Sequence, residues 1–335
     1  MVDKKHAAAR VGFLFLSLFI CNELTWAANS VTVSLSSNSA NFTLSAGNAT
    51  NPGNTSVTAT TTWSLAPPNN LDIYAYFANS TSALTDGAGH NIPSSAFFIS
   101  DNAGASQALT NTLPVGGASA GLHLESIDIG PFNRNGTIND AMTFNINLGA
   151  LSQLPAGTYT GTLFVQGQAT GPGGAASGVQ SIAISATLAE ALTVNLSANA
   201  VVFTLNAGSS SNPGATTVTA TTAWTLKASR TAMGLFAYFS SASAALTDGA
   251  GNNIPSSAFF ISDNGGASTA LTNTVGFGGA NAGIQLANVA ITNANETSSR
   301  TDTMSFNIDL SSGALPQIPP ATYTGTLNIQ ARATP

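Results

Sequence analysis

The sequence predicts an all-β chain in which two antiparallel β-sandwiches follow one another behind an export signal. Three observations carry this: apolar residues recur with period two, turn signals separate them about every ten residues, and nearly the whole pattern occurs twice. The 335 residues themselves suggest two domains at roughly 150 residues each. Charged residues make up only 7% of the chain, against roughly 25% in an ordinary soluble protein, and a hydrophobic fraction of 43% is too high for a disordered one. A formal charge of −6 leaves no basic footprint for nucleic acid.

At the N-terminus Lys4, Lys5 and Arg10 precede an apolar run over 12–20 and a small-residue site at Thr25-Trp26-Ala27. That order describes a signal peptide, residues 1–27, cleaved after Ala27. The run is shorter than the roughly 20 residues a spanning helix needs, and no later stretch approaches that length. The mature chain is therefore expected to lack a membrane span and to reside in the periplasm, in the medium or at the cell surface. A rival reading anchors the chain by lipid at Cys21, the only cysteine, although Ile20 stands where a lipobox takes a small residue. Removing 1–27 leaves 5 basic and 12 acidic side chains, a formal charge of −7, and no cysteine. Without disulfides the cores must rest on packing and sheet hydrogen bonds.

Residues 84–102 recur as 246–264 with one change, His90 to Asn252. The match extends both ways: Phe42-Thr43-Leu44 answers Phe203-Thr204-Leu205, Trp63 answers Trp224, and Met142-Thr143-Phe144 answers Met304-Ser305-Phe306. A period of 161 to 164 residues is too long for a solenoid unit, so each copy is expected to fold around its own core. The boundaries follow as 28–188 for the first copy and 189–335 for the second. The first copy includes a Gly-rich linker and an extra alternating strand within 169–188. The second shows no counterpart of Gln180-Ser181-Ile182-Ala183-Ile184-Ser185, and the sequence alone leaves open which copy that strand serves.

Alternation marks half-buried strands at Val57, Ala59, Thr61, Trp63, at Met142, Phe144, Ile146, Leu148, and at Tyr159, Gly161, Leu163, Val165. Between them lie Asn51-Pro52-Gly53, Asp86-Gly87, Asn135-Gly136 and Pro155-Ala156-Gly157, and no helix is convincing. Seven to nine short strands per copy predict an immunoglobulin-like layout. Trp63 and Trp224 are expected to fill the middle of each sandwich, with a ligand-stacking platform as the alternative. Tyr159 and Tyr323, at the start of a late strand, are core residues whose hydroxyls can pin a corner.

No catalytic residue, cofactor or established metal site is assigned. His90 and His123 are the only mature histidines, both in the first copy and read as solvent-facing, so a duplicated enzyme using a histidine base is not expected. Zinc and thiol chemistry lack ligands. Carboxylates kept in both copies are Asp86 and Asp248, Asp101 and Asp263, and Asp140 and Asp302. Asp86 with Asn91, and Asp248 with Asn253, form weak calcium-loop candidates, and one carboxylate per loop favours a plain turn. The pairs Gly116-Gly117 and Gly278-Gly279 lack the lysine and helix of a phosphate cradle.

Lys227 is the single mature lysine, and strands so poor in charge do little to oppose edge pairing. Val31, Val33 and Leu35 alternate as either a donated strand or the first strand of their own domain. Pro155-Ala156-Gly157-Thr158-Tyr159-Thr160-Gly161-Thr162-Leu163 and Pro320-Ala321-Thr322-Tyr323-Thr324-Gly325-Thr326-Leu327 resemble the closing strand of pilin-like and spore-coat-U-like domains. Those families carry cysteines and one domain per chain, and this sequence departs from both. The whole repeat is also similar to secreted bacterial tandem β-sandwich repeats of no assigned activity. The resemblance implies a non-catalytic extracellular building block served by a periplasmic chaperone. The expected function is a secreted or surface structural and adhesive protein that partners itself or other surface subunits by strand addition. A carbohydrate-binding module with glycan partners is the alternative.

Overall fold

Alternating burial sets the sheets. In a computed structural model describing residues 28–110, 121–151, 153–272, 274, 283–313 and 315–335, inward positions of the predicted strands are buried and their neighbours exposed. The expected signal peptide with Cys21 and Ala27, and the glycine pairs at 116–117 and 278–279, lie outside these residues. The longer strands of the first copy are β1 (Ser30–Leu35), β2 (Ser39–Leu44), β3 (Val57–Ser64), β4 (Asn69–Phe77), β5 (Phe97–Asp101), β6 (Leu122–Ile129), β7 (Asn135–Ile146), β8 (Gly157–Thr170) and β9 (Gln180–Leu188). One sheet runs β1-β3-β7-β5 and the other β6-β4-β8-β9-β2. All these neighbours are antiparallel except β9 and β2, which pair in parallel from Ala183 opposite Ser39 to Leu188 opposite Leu44. The extra strand foreseen at 180–188 is thus held between β8 and β2 of the first copy.

The second copy repeats the first sheet as β10 (Ala191–Leu196), β11 (Val218–Thr225), β13 (Phe259–Asp263) and β15 (Thr297–Ile308), ordered β10-β11-β15-β13. Its second sheet has three strands, with β12 (Ala232–Phe239) between β14 (Ile284–Ala290) and β16 (Leu327–Thr334). The architecture is all-β with facing antiparallel sheets, as the alternation predicts.

Phe97 shows why residues 84–102 and 246–264 are so alike. It meets Phe42 and Phe77 edge-on at centroid distances of 5.6 and 5.1 Å, and Phe259 meets Phe203 and Phe239 at 5.6 and 5.0 Å. Each core is organised around that one ring. The tryptophans are buried but not central. Trp63 packs with Val31, Leu65 and Leu71 in a smaller cluster, and Trp224 with Leu226 and Met233 in its equivalent. The indole explains the displacement, because its buried N–H needs an acceptor and an apolar centre has none. Trp63 Nε1 donates to the Asn133 carbonyl at 3.0 Å and Trp224 Nε1 to the Asn295 carbonyl at 2.8 Å, both carbonyls lying in loops.

The repeated Thr-Tyr-Thr-Gly-Thr phrase has two mechanical parts. Tyr159 donates its hydroxyl proton to the Pro155 carbonyl at 2.8 Å, and Tyr323 does the same to Pro319 at 2.9 Å. Two residues later only glycine fits, since a Cβ on Gly161 would collide with the Ala83 carbonyl and one on Gly325 with that of Ala245. Tyr159 is fully buried, which raises its phenol well above the usual range, whereas Tyr323 is half-buried.

Between β9 and β10, Glu190 accepts hydrogen bonds from Arg230 Nε and Nη2, both at 3.0 Å, and from the Lys227 amide at 3.1 Å. The guanidinium holds this carboxyl down at about 2.

Two outcomes follow for unfolding measurements. Tyr159→Phe strands a buried carbonyl and is expected to cost about 1–3 kcal/mol in urea titration, with Tyr323→Phe costing less because water reaches Pro319. Glu190 has a folded-state value below its unfolded value of about 4.3, so its stabilisation is present above about pH 4.3 and lost as pH falls toward 2. Glu190→Gln is therefore expected to lower the urea midpoint at pH 7 and to match the parent chain near pH 2.

Candidate functional site

The two copies differ most at one sheet edge. In the first, β8 lies between β4 and β9, whereas β16, which carries the equivalent sequence, pairs with β12 on one side. Among the described residues no strand pairs with its other side. The consequence shows in burial. Leu163 and Val165 are 0% exposed in β8, while every residue of β16, including the matching Leu327 and Ile329, is only half-buried.

The opposite wall is altered in the same way. Ala40, Phe42 and Leu44 of β2 are buried, but the matching Val201, Phe203 and Leu205 are half-exposed, and 199–206 is not a strand. Its backbone keeps a single bridge, Phe203 opposite Gly214. The physical cause is local, because β2 owes its ladder to β9, and a segment with no ladder partner has no reason to adopt strand geometry.

Between these walls runs a groove of about 310 Å³, bordered by Val201, Phe203, Leu327 and Ile329, with Phe259 and Phe306 beneath. No charged side chain lines it. In the first copy the corresponding space holds β9, whose Ile182, Ile184, Ala186 and Leu188 all point inward and are at most 4% exposed. The groove can therefore accept a strand that presents alternating aliphatic side chains on one face and its amide ladder on both edges.

The sequence-derived candidates are placed as follows. Trp63 and Trp224 are buried inside their sandwiches. Asp86 Oδ1 accepts from the Ala88 and His90 amides at 2.8 and 3.1 Å, and Asp248 Oδ1 from Ala250 and Asn252 at 2.8 and 3.0 Å. Asn91 and Asn253 donate to the Gly89 and Gly251 carbonyls. All four residues are thus engaged in holding their own turns. Val31 and Val33 are buried in β1, which pairs with β3 of its own sheet.

The reading of His90 as solvent-facing is corrected. It is 16% exposed, with Nδ1 2.7 Å from Asp86 Oδ2 and Nε2 3.3 Å from Oε2 of Glu296 in the other copy. Ala156 donates to the Leu226 carbonyl and Thr297 to that of Leu154 across the same junction. A contact between copies leaves no periodic trace, so nothing in the sequence pattern points to Glu296. His123 is 44% exposed, with Nε2 3.0 Å from Asp72.

No protein-family model and no curated protein matches the chain. Among solved structures it is similar to a chaperone–tip adhesion subunit pre-assembly complex from the archaic chaperone-usher Csu pili of Acinetobacter baumannii, at 12% identity over 90% of this chain and 99% of that one, with a TM-score of 0.40. It is similar also to the CupB6 tip adhesin of Pseudomonas aeruginosa, at 9% identity over 90% and 92% of the two chains, with a TM-score of 0.35. The CooA pilin subunit of enterotoxigenic Escherichia coli is matched at 14% identity over 47% of this chain and 97% of that one, with a TM-score of 0.28.

The difference in burial has a measurable consequence. Phe42→Ala is expected to cost about 3–5 kcal/mol, as for a fully packed phenylalanine. The matching Phe203→Ala, already half in water, is expected to cost about 1–2 kcal/mol by denaturant titration.

Proposed function

We propose that this chain is a secreted, non-catalytic structural or adhesive protein of the cell surface, and that its second sandwich is completed by a β-strand from another polypeptide. The partner is a second copy or another surface subunit. One observation carries the reading: the second copy has both walls of the slot that β9 fills in the first, and a row of half-exposed aliphatic side chains in place of that strand. An incoming strand gains the open ladder edge of β16 and covers apolar surface in the same step, the physics of strand addition. Among the described residues β1 is engaged with β3 and β9 with β8 and β2, so neither of these strands is free to fill the slot. The absence of a histidine from the second copy, and the use of Asp86 and Asp248 in turns, support a role without catalysis. The glycan-binding alternative required exposed tryptophans, and both are buried.

A synthetic peptide of the Gln180–Leu188 sequence tests the proposal on the intact mature chain. Saturable 1:1 binding is expected, with amides within 321–329, the counterpart of the β8 residues that pair with β9, protected from hydrogen exchange and no binding by a peptide carrying Ile182→Asp and Ile184→Asp. Failure of the unmodified peptide to protect 321–329 would overturn strand addition. The surface role is read separately by shearing host cells and probing the released fraction for the chain, whose confinement to the periplasm would overturn it.

A further inference from the structure

The first sandwich contains a second feature that the groove does not use. A carboxylate oxygen from each of Asp101, Glu125 and Asp140 lies within 4.8 Å of the other two. Asp101 closes β5 and Asp140 sits in the middle of β7, both in one sheet, while Glu125 reaches them from β6 in the other, beside the irregularity where β6 shifts register against β4. Asp140 is 0% exposed. Its Oδ1 accepts one long hydrogen bond, 3.4 Å from Asn102 Nδ2, and its Oδ2 has no partner. Oδ1 of Asp101 is likewise buried and unpartnered. Burial, reinforced by the charges of Asp101 and Glu125, raises the Asp140 carboxyl to about 6.

The second copy shows how the same pair is compensated. Asp263 and Asp302 stand in the matching places, with Asn264 repeating Asn102. Two neighbours have changed. Arg300 occupies the place of Ile138, each opposite the matching threonine, Thr222 or Thr61. Ala287 occupies the place of Glu125, each opposite the matching residue of the adjacent strand, Leu235 or Ile73. Arg300 Nη2 lies 2.6 Å from Asp302 Oδ1 and 4.0 Å from Asp263 Oδ2, and Nε lies 2.7 Å from Asp302 Oδ1. One copy thus carries two carboxylates and a guanidinium, the other three carboxylates and an isoleucine.

We propose that Asp101, Glu125 and Asp140 bind a divalent cation, with calcium the best fit, that takes the place the Arg300 guanidinium holds in the second copy. Three carboxylates without nitrogen or sulfur are a hard-oxygen donor set. A spread of up to 4.8 Å between donor oxygens matches two calcium–oxygen bonds of about 2.4 Å across an ion. Water completes the shell on the side where Glu125 is half-exposed. The ion joins the two sheets of the first sandwich through Glu125 on one side and Asp101 and Asp140 on the other.

Calorimetric titration of calcium into the metal-free mature chain at pH 7.5 is the test. One ion per chain is expected, with a dissociation constant of about 10⁻⁴–10⁻³ M, as in extracellular modules, together with a calcium-dependent rise in the melting temperature. Glu125→Gln changes a half-exposed residue and is expected to keep the fold while lowering affinity at least tenfold. The double variant Glu125→Ala with Ile138→Arg rebuilds the second copy's arrangement, and is expected to stay folded and to lose the calcium response entirely. No heat of binding in the parent chain would overturn the proposal. So would binding that persists undiminished in both variants, which would place the ion elsewhere.

Discussion

The need to pair the edge of each sheet is the constraint on which the rest of this structure depends. The described residues include no cysteine and so no covalent staple, and with so few charges they have little surface electrostatics to draw on, so stability must come from ladders and from the apolar face each ladder presents. In the first copy that requirement is met internally: β9 returns antiparallel along β8, lays its far edge against β2 and drives four aliphatic side chains into the core. In the second copy the same core, organised around the same phenylalanine, is left with one side ajar. The half-burial of β16 and the irregular backbone at 199–206 are two expressions of one missing ladder.

Duplication makes each copy a control for the other. Where the copies agree, the shared residues solve a problem of packing or backbone geometry, as with the tyrosine that pins a corner and the glycine two residues on that lets the Ala83 or Ala245 carbonyl pass. Where they differ, the difference has a physical content that a single domain would not reveal. Ile138 against Arg300 and Glu125 against Ala287 are unremarkable singly. Taken as a pair on facing strands, they move the local charge by two units around a buried aspartate that both copies keep.

Much of the fold was legible because it is periodic. Alternation located the strands, and the repeat marked which of them recur. What the sequence did not reveal is what depends on distance across the sandwich. Glu125 approaches Asp140 from a different sheet, Glu296 approaches His90 from a different copy, and neither pairing follows from spacing along the chain. The tryptophans show a related limit: their burial was legible from alternation, but the need of the indole N–H for a loop carbonyl decides which cluster of the core they occupy. Asp101 and Asp140 were visible as retained carboxylates, and aligning the two copies position by position would have exposed Arg300 as the cation that one of them has and the other lacks.

The distribution of the few charges then acquires a reason. Charge on an open sheet edge discourages association, and a chain that remains alone does well to place it there. Here Glu190 with Arg230 and His90 with Glu296 sit where segments meet, Arg300 faces a buried aspartate, and the groove wall is lined by uncharged side chains. Arg332 is the one charged residue of β16. The groove lining itself carries no charged side chain, which is the condition under which a strand of aliphatic and small polar residues, such as β9 itself, would gain most by docking.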